Sequence, residues 1–162
     1  LDYMDLTKTT KWQDATIIAL RFLIGWHFLY EGFYKLTHPE WSSIAFLDQS
    51  EWIFSGIADW IITNAGVLNT VDFLNAWGLF LIGLGLVLGL FTRPAALAGT
   101  VLLVLYYLFN PPFIGLDTGP AMEGNYLLVN KTLIEAAAML LLAVAPAAKK
   151  YGLDSIIFRN KG

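Results

Sequence analysis

The stretch ATIIALRFLIGWHFLYEGFYKL, residues 15–36, decides the fold. Its 22 residues are enough to cross a hydrocarbon core of ~30 Å as a helix, which takes about 20. Yet it carries Arg21, His27, Glu31 and Lys35. Charge inside such a run is costly in lipid, roughly 2.5–3.5 kcal/mol per residue, so it usually turns to the protein interior or to a partner. His27, Glu31 and Lys35 recur every fourth residue and form one slowly drifting stripe.

The rest of the chain repeats the theme. Apolar runs fall at about 73–91, 94–109 and 126–145. Pro94 suits the first turn of the third run, where its missing N–H is no loss, and Asn110-Pro111-Pro112 ends it. With 57% apolar, 15% aromatic and only 14% charged residues, the chain is too poor in charge for an ordinary soluble domain. The expected fold is all-α: one integral membrane four-helix domain over 1–162. A net charge of −3 gives no case for nucleic acid, and zero cysteines exclude disulfides and thiol ligation within this chain. No cleavable signal peptide is expected, because the first apolar run is too long for one.

The segment Trp52–Leu68 is apolar but contains Asp59 and Asn64. Ile53, Ile57, Trp60 and Ile61 share one helical face, so an interfacial or re-entrant helix between spans one and two fits better than a fifth span. It either anchors the chain at the membrane boundary or lids an outward-facing pocket. Lys8, Lys11, Arg93, Lys149, Lys150, Arg159 and Lys161 lie at one end of the spans. The longer loops carry Glu40, Asp48, Glu51, Asp59, Asp72, Asp117 and Glu123 and no Lys or Arg. The positive-inside rule puts both termini in the cytoplasm of a bacterial inner membrane. Gly25 and Gly32 on the first helix, and Gly78, Gly85 and Gly89 on the second, are expected to let helices approach closely.

Candidate chemistry gathers at the outer ends. Asn130, Lys131 and Glu135 open the fourth run at a depth similar to His27, Glu31 and Lys35. One reading is a buried ionic lock joining the first and fourth helices. The other is a polar pocket in which Glu31 and His27 exchange protons with a bound quinone-like headgroup. Lys35, Lys131, Glu135, Asn130 and Tyr106 would then bind it, with Tyr107, Asn110 and Tyr126 in the wall. A quinone needs donors at its carbonyls, and these residue types supply them. No haem and no metal are expected, since a single membrane histidine cannot provide bis-histidine ligation. Arg21, in the inner half, either snorkels to headgroups or meets Asp154 of the tail.

Arg21-Phe-Leu-Ile-Gly25-Trp26-His27-Phe28 followed by Glu31-Gly32-Phe33-Tyr34-Lys35-Leu36 resembles the first helix of the DoxX/DoxD membrane family. The run Gly83–Ala96, with its Thr92-Arg93 turn, resembles the family's glycine-rich second helix. Asn130-Lys131 and the Gly152-Leu153-Asp154 tail add to the match. The insertion containing Ser43–Leu47 makes the chain resemble the DoxD-type subunit of thiosulfate:quinone oxidoreductase more than the shortest DoxX proteins. The resemblance implies a small membrane subunit tied in some members to quinone-linked electron transfer. Such a subunit would work in lipid beside other subunits, including a soluble or peripheral oxidoreductase that supplies electrons, since this chain has no redox centre of its own. The alternative is a non-catalytic anchor or assembly subunit. Acidic outer loops are a poor surface for a divalent anion such as thiosulfate.

Overall fold

The computed structural model describes residues 10–116 and 127–157. In chain order the helices are α1 (Lys11–Thr37), α2 (Ile44–Leu47), α3 (Ser55–Thr63), α4 (Ala65–Leu88), α5 (Thr92–Phe109), α6 (Lys131–Val144), α7 (Ala147–Lys150) and α8 (Leu153–Ile157). The described residues include no strand.

Local sequence explains most boundaries. Thr10 starts α1 with a capping box: its Oγ1 accepts from Gln13 N (3.2 Å), and Gln13 Oε1 accepts from Thr10 N (2.7 Å). Asn130 caps α6 by accepting from Leu133 N at 3.0 Å. Gly89 ends α4 in the left-handed region (φ 63°), with Leu90 N donating to Gly85 O and Gly89 N to Leu86 O. That is a Schellman stop, and it needs a residue without Cβ strain. Gly89 is therefore a helix cap, and its close packing is against the C-terminal tail rather than in a seam between long helices.

Four long helices, with Ala148 of α7, feed one core. It contains Ile24 and Phe28 of α1, Leu79, Ile82 and Leu86 of α4, Ala96 and Leu103 of α5, and Ala136, Met139 and Leu142 of α6. The tightest seams are α1 against α4 and α5 against α6. Glycine sets the first. A Cβ on Gly25 would sit 2.8 Å from Leu86 Cβ, one on Gly32 would meet the Phe80 backbone, and one on Gly83 the Leu29 backbone. Gly78, expected in a seam, faces open space. Gly83 takes its place. Gly99 does the same for α5, where a Cβ would collide with the end of Met139.

Among the described residues two helices, α4 and α5, are long and apolar enough to cross a membrane. Their most apolar windows are only 28% and 22% buried, which does not fit the core helices of a soluble protein. Phe73, Leu74, Leu81, Leu97 and Val101 point outward. α1 has the length, with 27 residues, but more charge; α6 has only 14 residues, about 21 Å. The second span begins earlier than the apolar run suggests, because helix continues from Ala65, and the fourth helix begins at Lys131 rather than 126. Tyr126, Asp117 and Glu123 lie outside the described residues. The segment from Trp52 supplies α3 and, after a break at Asn64, the first turn of α4. α2 and α3 pack a second small core of Leu47, Ala58, Ile61 and Leu68 onto α4 and Phe109.

Candidate functional site

The α1 stripe divides. His27 turns towards α6, where its Nδ1 lies 2.9 Å from Glu135 Oε1. Their side chains are 58% and 20% exposed. Lys35 turns the other way. Its Nζ lies 3.7 Å from Glu31 one turn back and donates to Asn75 Oδ1 at 2.9 Å. It also sits 4.4 Å from the centre of the Trp41 ring, a cation–π distance. Asn75 Nδ2 then donates to Tyr106 OH at 2.6 Å. A chain of polar contacts thus runs Glu31–Lys35–Asn75–Tyr106 across α1, α4 and α5. The expected single network between the first and fourth helices is instead two clusters. One joins α1 to α6 through His27 and Glu135; the other runs from α1 into the interior.

The interior cluster forms part of the wall of a cleft of about 280 Å³ between α2, α4 and α5. Phe46, Leu47, Leu74, Leu102 and Phe109 make it apolar, while Ser43, Asn75 and Tyr106 supply its polar atoms. Phe46 packs edge-on against the Tyr106 ring. The Tyr106 hydroxyl accepts from Asn75, and its own hydrogen has no acceptor among the described residues. α2 is fastened over the cleft. Ser43 N and Oγ both donate to Asp72 Oδ1 (2.9 and 2.5 Å), Ser50 Oγ donates to Phe109 O (2.8 Å), and Asn110 Nδ2 donates to Phe46 O (2.8 Å).

Other expected residues have structural partners. The Asn130 side-chain oxygen is committed to its cap. Lys131 is the first residue of α6 and is exposed. Tyr107 OH donates to Leu128 O at 2.7 Å. Asn75 and Asp72 were not expected at the site. Their only sequence signal is polarity at the start of an apolar run, which does not say which way a side chain faces.

At the opposite end, Arg21 is buried and turns inward: its Nη1 donates to Ala148 O (2.7 Å) and Tyr151 O (2.6 Å), closing the end of α7. The tail then crosses the α4–α5 turn so closely that a Cβ on Gly89 would lie 2.8 Å from Gly152 Cα. The residue that caps α5 is Phe91, whose side chain has no capping oxygen. Asp154 supplies it from 62 residues away, accepting from Phe91 N (2.8 Å) and Thr92 N (2.9 Å). Burial pushes the Asp154 carboxyl up, but these hydrogen bonds together outweigh it and hold it below its ordinary 3.8. Lys150 Nζ lies 2.5 Å from Asp14 Oδ2, and this hydrogen bond raises the lysine above its usual value.

The sign for Asp154 is that of a depressed acid. Its stabilisation is complete above the ordinary carboxylate value and is lost as pH falls through the lower folded one. Protection from hydrogen exchange at Phe91 and Thr92, relative to the intrinsic rate at each pH, should therefore hold at pH 5 and fall in stronger acid. Asp154→Ala should abolish that pH step and cost about 1 kcal/mol, as loss of a helix cap does. Equal protection in the variant at pH 6 would contradict the capping role.

The arrangement defines a helical membrane protein with a capped apolar cleft. The DoxX family model matches residues 16–110, from α1 through the end of α5, and the chain belongs to the DoxX family. The matched segment holds the whole Glu31–Lys35–Asn75–Tyr106 chain, whereas Glu135 and Asp154 lie beyond it. Neither a curated protein nor a solved structure matches the chain.

Proposed function

We propose that this chain is a small inner-membrane subunit of a quinone-linked oxidoreductase complex. In this reading α1, α4, α5 and α6 all enter the bilayer as a four-helix bundle, both termini are cytoplasmic, and α3 rests in the outer interface. The cleft under α2 receives the headgroup of a quinone-like or lipid-like ligand. The observation that carries the reading is the Tyr106 hydroxyl, held by Asn75 and backed by Lys35 and Glu31, in an otherwise apolar wall. Ligand sites are commonly apolar surfaces with a few placed polar groups.

A quinone headgroup fits these residues. Tyr106 offers a hydrogen-bond donor to one carbonyl, and the apolar side chains suit the ring. At about 280 Å³ the cleft would enclose a headgroup but not a long tail, which would pass to lipid. A bound quinone would supply the two-electron chemistry. The chain's own residues would bind and orient it: Asn75 fixes the Tyr106 hydroxyl, Lys35 fixes Asn75, and Glu31 offers a proton site at the start of the chain. His27 and Glu135 stand apart from this route. The outward exposure of His27 favours a second reading, that of an assembly subunit whose polar face meets protein.

Binding of a short-tailed ubiquinone analogue to the chain in lipid nanodiscs tests the first reading. Tyr106→Phe and Asn75→Leu should each weaken binding about tenfold, the effect of one lost hydrogen bond worth ~1.4 kcal/mol. Tyr107→Phe should leave it unchanged. Wild-type affinity in Tyr106→Phe would remove the ligand reading from this cleft.

A further inference from the structure

The exposed polar residues form an ordered ridge along α1 and α6. His27 and Glu31 have side chains 58% and 48% exposed. Measured from Ile24, the middle of α1, His27 lies about 4.5 Å and Glu31 about 10 Å along the helix axis. Both distances are smaller than half of a ~30 Å hydrocarbon core. The neighbouring exposed surface, including Leu23, Tyr30 and Ile134, is apolar or aromatic. Lipid does not solvate a carboxylate and an imidazole at that depth, so something polar must cover them.

The order of charges points to the cover. α1 and α6 run in opposite directions, and the His27–Glu135 contact sets their register. One turn further towards the Lys35 end, Glu31 on α1 and Lys131 on α6 lie at a common depth. The ridge therefore has two levels, each with one acid and one base: His27 in contact with Glu135, and Glu31, which also pairs with Lys35 within α1, level with Lys131. A two-fold axis along the membrane normal brings each level to the same level of a second copy, acid towards base. A closed two-fold pairing of this kind uses the same patch on both partners. A partner with a ridge of a single sign would leave half of these groups facing like charge.

We propose that a second copy of this chain covers the α1–α6 ridge, forming a parallel dimer. The proposal rests on α1 and α6 lying in the bilayer, and it is independent of any ligand in the cleft. Because the chain has no cysteine, single-cysteine variants report contact directly. In nanodiscs or native membranes, Leu23→Cys, beside the ridge on an exposed α1 position, should oxidise to a disulfide-linked dimer. Val101→Cys on α5, similarly exposed, should remain monomeric.

Differently tagged Glu31→Lys and Lys131→Glu chains, expressed together, should then recover a mixed dimer at least tenfold over either like-with-like pair. Crosslinking of Val101→Cys but not Leu23→Cys, or a monomeric wild-type chain by native mass spectrometry from nanodiscs, would overturn the proposal. Quinone binding is not read in either assay, so failure of the cleft reading and failure of the dimer are separate results.

Discussion

Gly83→Val is expected to unfold the α1–α4 seam at a cost of about 3 kcal/mol or more. A side chain at this position would drive into the Leu29 backbone, which cannot move aside as a flexible side chain would. The helices must separate, and every contact of the shared core on either side loosens with them. Close helix approach matters in lipid because apolar burial gives little drive between helices, and van der Waals contact carries much of the association. Gly78→Val on the same helix is the control. It faces open space and should change stability by no more than about 0.5 kcal/mol. Tryptophan fluorescence during thermal or SDS unfolding in mild detergent separates the two. Equal midpoints for wild type and Gly83→Val would show that the seam is looser than described.

Arg21→Met is expected to release the C-terminal tail. The guanidinium donates to the carbonyls of Ala148 and Tyr151, and hydrogen bonds to a charged group are each worth roughly 1.5–3 kcal/mol. Methionine fills similar volume but leaves two carbonyls without their donor, so a loss of about 3–5 kcal/mol in tail docking follows. Both bonds come from the single nitrogen Nη1, so Arg21→Lys should recover part of the loss, limited by the different length and donor geometry of the ammonium. Hydrogen exchange across 147–157 reads the result. Protection equal to wild type in Arg21→Met would place the anchoring of the tail elsewhere. Because Asp154 caps α5, release should also speed exchange at Phe91 and Thr92.

The helical elements were largely legible in the chain. Apolar runs, the Pro94 first turn and the Asn110-Pro111-Pro112 stop all act through neighbours in sequence, so the sequence states them directly. The family is legible too: the first-helix motif and the Gly83–Ala96 run lie within the matched residues 16–110, whereas Asn130-Lys131 and the Gly152-Leu153-Asp154 tail fall outside them. The polar stripe His27–Glu31–Lys35 follows from helical periodicity alone.

What periodicity could not decide is the azimuth of each side chain relative to other helices. Lys35 turned inward to Asn75 while His27, two turns earlier, turned to Glu135. The drift of a four-residue stripe around the helix is enough to place its ends against different neighbours. For the same reason Gly83 rather than Gly78 faces α1, although both lie on one helix.

The Asp154 cap and the Arg21 clamp span 62 and more than 120 residues, a separation that no local signal carries. The sequence by itself determined a greasy helical chain with too much charge in its first helix for lipid to hold unassisted. Only the tertiary structure decided where each charge went, because that depends on which helix faces lie together, and packing of the whole chain sets those faces.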